Sequence, residues 1–153
     1  MGELSCFEIT TRVIELIFVV IGGFILGVLV YRRSVLEAIW QWTQLDGRED
    51  VMEARRFVLY ELDSNYDPIV IQNNIDDAAK RIAPIANAYH HLGMLVRKKY
   101  IPIKTFKDNS TGRTIVIIYE KLLLYITKVR EENNPNYANG FEYLYEKVKK
   151  FYP

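Results

Sequence analysis

From Val13 to Tyr31 the chain reads VIELIFVVIGGFILGVLVY, 19 residues with one ionisable side chain, Glu15. As a helix rising 1.5 Å per residue it is about 28 Å long, close to the roughly 30 Å hydrocarbon thickness of a bilayer. A run this uniformly apolar leaves no polar face for the surface of a soluble domain. A cleaved secretory signal has a basic start, a shorter apolar region and small residues at its cleavage site. Here Glu3 and Glu8 precede the run and Val30-Tyr31-Arg32-Arg33 ends it. The expectation is an uncleaved transmembrane helix over 13–31. Basic residues stay on the cytoplasmic side of a span. Arg32 and Arg33 outweigh Arg12 with its acidic neighbours, so residues 1–12 are expected outside and the rest inside the cytoplasmic (inner) membrane. Tyr31, Trp40 and Trp42 suit a headgroup-level aromatic belt; packing inside the following domain accounts for the two tryptophans equally well.

Gly23 and Gly27, with Gly22 beside them, form a G-x-x-x-G pair on one helix face, where a neighbouring backbone can approach closely. They are the candidate self-association residues of the span. Glu15, one turn inside the bilayer edge, is costly on a lipid-facing surface. It can pair with Arg12 three residues earlier, snorkel to the interface, or face the interior of an oligomer. In the last case a ring of carboxylates would stand at one mouth of a bundle and favour cations.

After a juxtamembrane connector, 32–46, the stretch 47–153 is long enough for one small domain with its own core. The net charge of +1 gives no global field pointing to nucleic acid or anionic membrane, and the single cysteine, Cys6, forms no intramolecular disulfide. Ser34 caps a segment through Leu45 or simply continues the span, and Asp46-Gly47 breaks it. In REDVMEARRFVLYELD the acids Glu49 and Asp50 suit the first turn of a helix, and Val51, Met52, Val58, Leu59 and Leu62 fall near helical period. Asp67-Pro68 reads as a cap with proline at the first helical position, opening a segment to about Lys99 that Pro84 should kink or divide. KDNSTG is a loop. RTIVIIYEKLLLYITKVREEN begins β-branched, but its length and its EKLL core favour helix. NPN breaks the chain, and a last helix carries Phe141, Leu144, Tyr145 and Val148 on one face. The fold expected is all-α: one N-terminal transmembrane helix, then a compact cytoplasmic domain of about five helices.

The last seventy residues, with ANAYHHLGMLVRKKYIPIKTF and YEKLLLYITKVREENNPNYANGFEYLYEKV, resemble a bacterial family of unknown function (number four-seven-six-zero). The matching positions are Leu92, Gly93, Val96, Ile101, Tyr119, Glu120, Arg130, Asn134, Pro135, Tyr137, Phe141 and Leu144. Lys99-Tyr100 stands where that family usually has a glycine. The resemblance implies an all-helical domain, often behind one N-terminal span, and no known chemistry. The layout is also similar to that of small single-span effectors of bacterial anti-phage operons, which breach the membrane as oligomers.

Few residues point to chemistry. His90 and His91 are adjacent, so they point about 100° apart on a helix and make a poor chelate; one is expected to pack or cap and the other to be solvated. No nucleophile motif and no phosphate-cradling glycine loop occurs. No enzyme, cofactor or metal is therefore expected.

The local charge anomaly is RKKYIPIKTFKDNSTGR, residues 97–113. Arg97, Lys98, Lys99, Lys104, Lys107 and Arg113 stand against Asp108 alone, with Tyr100 and Phe106 interleaved as candidate stacking rings. Such a surface suits an anionic ligand: single-stranded nucleic acid or a nucleotide, or lipid headgroups. It is also what a solvated helix end and loop look like. Tyr137, Tyr143 and Tyr145 are candidate subunit contacts, since tyrosine offers apolar area with a polar tip; core packing explains them as well.

Two functions are expected from these features. One is a homo-oligomeric membrane effector that forms or gates a pore under control of a helical sensing domain. The other is a non-conducting, membrane-tethered module that recruits a cytoplasmic, operon-encoded partner.

Overall fold

The computed structural model describes residues 6–62, 75–132 and 134–152; the expected cap at Asp67-Pro68 lies outside them. Every regular element among the described residues is helical. They are α1 (Cys6–Asp46), α2 (Glu49–Arg56) running into a π-helical turn (Phe57–Glu61), α3 (Ile75–Arg97), a 3-10 turn (Ile103–Phe106), α4 (Ser110–Glu132), α5 (Asn139–Val148) and a closing 3-10 turn (Lys149–Phe151). The chain divides into two compact units, 1–37 and 38–153.

Among the described residues, the first unit is the part of α1 up to Glu37. It is long and apolar enough to cross a membrane, and its most apolar window is wholly exposed. Span and connector are one uninterrupted helix. Ser34 therefore caps nothing: its hydroxyl donates back to the Val30 carbonyl at 3.1 Å, the usual way a mid-helix serine is accommodated.

The second unit begins with the end of α1, where Ala38 is buried and Trp42 and Leu45 pack against the core. On α2 the buried face is Val51, Ala54, Phe57, Val58 and Leu62, whereas Met52, expected on that face, is exposed. Helix α3 passes through Pro84 undivided. It supplies Ile82, Ile85, Tyr89 and Leu92 to the core, α4 supplies Ile115, Ile118, Leu122 and Ile126, and α5 supplies Phe141, Leu144 and Val148. The β-branched start of α4 is helical because Asn109 caps it: its Oδ1 accepts the Gly112 N–H at 2.8 Å, and Ile115, Ile118, Leu122 and Ile126 then recur at helical spacing toward the core.

Two junctions fix how these helices meet. Helices α3 and α5 touch backbone to backbone, since a Cβ on Gly93 would collide with the Gly140 carbonyl, and one on Gly140 with the His90 carbonyl. Helix α3 ends in a Schellman motif, with Tyr100 N–H donating to the Leu95 carbonyl at 3.0 Å and Lys99 N–H to the Val96 carbonyl at 2.9 Å. Lys99 takes the left-handed position, φ 63°. The turn usual for a glycine is thus kept with a lysine in it.

Candidate functional site

In the first unit, Arg12 and Glu15 are both exposed, and no ion pair joins them among the described residues. A Cβ on Gly22, Gly23 or Gly27 would meet nothing within 4 Å, whereas Gly93, Gly112 and Gly140 each sit where a Cβ would strike a neighbour.

In the second unit, the end of α1 is fastened by two contacts that the sequence gives little sign of. The Trp42 ring stacks on Tyr89 of α3, centroids 5.7 Å apart. Asp46 pairs with Arg55 of α2. The Arg55 guanidinium also faces Tyr89, and its Nε is buried without a hydrogen-bond partner. Burial lowers the Arg55 pKa, but Tyr89 and Asp46 more than offset it, so the guanidinium is held charged. Burial pushes the Tyr89 hydroxyl up to about 12, against the pull of Arg55. The only trace in sequence is a charged residue on the apolar 51–54–58 face of α2.

Beside this junction lies an open groove of about 600 Å³, lined by Gln41 and Leu45 of α1, Arg48 and Asp50 at the start of α2, and Lys80, Pro84, Asn87 and His91 of α3. Arg48 is engaged by Asp50 through two hydrogen bonds, 3.1 and 2.7 Å. The groove thus mixes amides, an internally paired arginine and apolar side chains.

The histidines separate as expected. His90 Nδ1 accepts the Gly140 N–H at 3.1 Å, and burial, with a smaller contribution from His91, lowers its pKa; His91 is exposed. Among the described residues no group of three His, Cys, Asp or Glu side chains comes together to hold a metal.

Of the basic stretch, Arg97, Lys98, Lys99, Lys104, Lys107 and Arg113 are all exposed. Tyr100 is at the surface, 36% exposed, but Phe106 is 4% exposed and belongs to the core. Phe106 is therefore not available for stacking. Its alternation with lysines marks the buried side of a 3-10 turn. The Phe106 carbonyl accepts the Tyr152 hydroxyl at 2.6 Å, and that hydroxyl accepts the Asn109 N–H at 3.0 Å. Of KDNSTG, expected as a loop, only residues 107–109 are one: Ser110, Thr111 and Gly112 form the first turn of α4, because Asn109 caps the helix there. Tyr152 pins that short loop, and Gly112 leaves the room Tyr152 needs.

The three tyrosines are engaged within the chain. The Tyr137 ring meets Tyr125 edge-on at 6.1 Å, and burial, then Tyr125, raises its pKa. Tyr145 stacks on Tyr119 at 4.2 Å and donates to Glu120 at 3.0 Å. Tyr143 lies under two cations, with the Arg97 guanidinium 5.9 Å and the Lys147 ammonium 5.5 Å from its centroid.

Two basic residues proved more important structurally than their positions suggest. Lys121 donates to the Leu59 and Leu62 carbonyls, both at 2.9 Å, satisfying groups that a helix end leaves open. Arg130 donates to the Tyr137 carbonyl at 2.8 Å, Asn139 Oδ1 at 3.1 Å and Glu142 at 2.9 Å, closing the turn that enters α5.

The chain is therefore an all-helical protein in which an N-terminal helix long and apolar enough to cross a membrane leads into a compact helical domain. It belongs to the family described as Domain of unknown function (DUF4760), which matches residues 17–148. The match starts within the apolar run, well ahead of the last seventy residues that carry the resemblance in sequence. No curated protein and no solved structure matches the chain.

Proposed function

We propose that the chain is a membrane-anchored effector. In this reading α1 crosses the cytoplasmic membrane with its N-terminus outside, copies associate through Gly23 and Gly27, and the bundle forms or gates a pore under control of the cytoplasmic helical domain. Its setting would be a bacterial anti-phage operon, as the layout suggests. The observation that supports self-association is the contrast between glycines. A glycine inside a helix costs about 1 kcal/mol relative to alanine. Gly93, Gly112 and Gly140 repay that with close packing inside the chain, and Gly22, Gly23 and Gly27 have no neighbour there. A partner helix would supply one. An unpaired Glu15 facing the bundle interior would avoid the cost of meeting lipid.

Control would act through α1. Its last turns form part of the domain, held by Trp42 and Asp46, and the same helix continues into the span. A ligand shifts such an equilibrium only through different affinity for the two states.

A second reading, the tethered module, is supported by residues 16–30, which carry no polar side chain at all. A bundle of such helices is dry and closed. The groove of about 600 Å³ would then receive the partner.

Ion flux through liposomes holding the purified protein, together with the membrane potential of expressing cells, separates the two. The effector reading expects a leak that Glu15→Gln alters and that Gly23→Ile abolishes along with span self-association in a membrane two-hybrid assay. Intact potential and no flux under any nucleotide or oligonucleotide condition would leave the tether.

A further inference from the structure

The fold joins two basic segments that lie far apart in sequence. Residues 97–113 hold six cations, and the KVKK of residues 147–150 adds three more. Arg97 at the end of α3 and Lys147 at the end of α5 lie over the same Tyr143 ring. At the other side, Arg113 lies 5.9 Å from the Tyr152 ring, and the Tyr152 hydroxyl ties the residues after Lys149-Lys150 to the loop at Phe106 and Asn109. The two segments therefore meet at two places, over Tyr143 at the C-terminal ends of α3 and α5 and at Tyr152 beside the first turn of α4.

Lys99 aside, little of this charge is neutralised among the described residues. Lys107 lies 3.8 Å from Asp108 and Lys149 3.1 Å from Glu120. No carboxylate among the described residues lies within 4.0 Å of Arg97, Lys98, Lys104, Arg113, Lys147 or Lys150. Glu146 lines the same hollow as Lys147, Lys149 and Lys150. Helix C-termini attract cations, which accounts for one or two per helix, not for two clusters brought together over a shared tyrosine.

We propose that this surface binds single-stranded nucleic acid, with the lysines and arginines on phosphates and Tyr100 as a base-stacking platform. The assignment rests on reading the helical domain as the sensing part of the effector, and supplies its ligand class. Nucleic acid fits better than a bilayer because the apolar residues of the segment are turned inward: Ile101 and Phe106 are core residues. A surface that inserts into a membrane keeps an apolar face; contact with headgroups by charge alone needs none and is the outcome that the phosphatidylglycerol arm of the test detects. A single strand needs cations and an exposed ring.

The test uses the full chain in neutral phosphatidylcholine nanodiscs and a fluorescein-labelled oligothymidylate or oligouridylate of about 20 nucleotides. Anisotropy is followed as salt is raised. Log affinity should fall linearly with log salt, at about −0.7 per phosphate contacted. Arg97→Gln and Lys147→Gln should each flatten that slope by about 0.7, despite their separation in sequence. Tyr100→Ala should weaken binding roughly ten-fold or more and leave the slope unchanged. No binding at low salt overturns the proposal. So does a Lys147→Gln slope equal to that of the parent chain, or a Tyr100→Ala variant that binds like the parent. Protection of Lys147 from acylation on replacing the neutral lipid with phosphatidylglycerol, without oligonucleotide binding, would assign the surface to headgroups instead. Conduction is measured separately and without nucleic acid, so failure of the pore reading and failure of this one are distinguishable.

Discussion

The backbone of Gly93 on α3 rests against the carbonyl of Gly140 on α5, with no room for a methyl group between them. The obstacle on each side is backbone, which does not move aside as a side-chain tip would. Gly93→Ala and Gly140→Ala should therefore each destabilise the helical domain by roughly 1–3 kcal/mol, the range for overpacking a tight contact. Thermal melting of the detergent-solubilised chain followed by circular dichroism measures this. Gly23→Ala, in open space, should leave the melt of the domain where it was. Equal shifts for all three would show that the close approach is not what Gly93 and Gly140 serve.

Trp42 and Trp40 are two residues apart and read alike in sequence, but they differ in place. Trp42 stacks on Tyr89, while Trp40 is 64% exposed. Trp42→Ala should cost roughly 2 kcal/mol, below the 3–5 for a fully buried aromatic because the ring is only partly covered. Trp40→Ala should stay within about 0.5 kcal/mol. Urea midpoints of the two variants, compared at equal slope, decide this.

His90 makes stability depend on pH. Burial, with a smaller contribution from His91, holds its pKa below the ordinary 6.5, and its Nδ1 accepts the Gly140 N–H, so the folded state favours the neutral ring. The unfolded chain then binds the proton first as pH falls. Stability from this group is fully present above about 6.5 and is lost as pH drops through the lowered folded value. His90→Gln should flatten the acid limb of a plot of melting temperature against pH. An unchanged limb would mean that another group sets it.

What the sequence reveals divides along physical lines. Apolar period alone indicates the helices, since i, i+3 and i+7 spacing survives in α4 even over a β-branched start that Asn109 has to cap. The uninterrupted α1 is less evident, because Ser34 is compatible with a cap and with a back-bonded mid-helix residue. Long-range polar contacts are invisible to spacing: nothing local says that Arg55 turns inward to Asp46 and Tyr89, or that Lys121 reaches two carbonyls some sixty residues away in the chain. The basic surface is half legible. Residues 97–113 stand out as a charge run, but Lys147 joins them only through the ring of Tyr143, and Phe106 leaves the set because its 3-10 turn faces inward.

Lys99 holds a left-handed conformation that costs a residue with a Cβ about 1–2 kcal/mol. Lys99→Gly removes that strain while adding entropy to the unfolded chain, about 0.5–1 kcal/mol. The net effect should be a stabilisation of about 0.5–1 kcal/mol, seen as a higher urea midpoint. Lys99→Val should move it the other way, because a β-branched side chain is a still poorer occupant of that region.

Arg130 holds the entry to α5, where Ala138 is left-handed at φ 56°. Its three hydrogen bonds run to the residues on either side, the Tyr137 carbonyl and Asn139, and on to Glu142. Arg130→Met would leave the Tyr137 carbonyl and the Glu142 carboxylate without their donor, at a cost of roughly 2–4 kcal/mol. Arg130→Lys should recover little of it, because one ammonium does not span acceptors that a planar guanidinium reaches together. The partner is identified by a double-mutant cycle. Glu142→Gln in the parent should cost about 1 kcal/mol, and much less in the Arg130→Met background, giving a coupling of 0.5 kcal/mol or more. Additive effects would show that Glu142 is a surface carboxylate and that Arg130 acts through the Tyr137 carbonyl and Asn139.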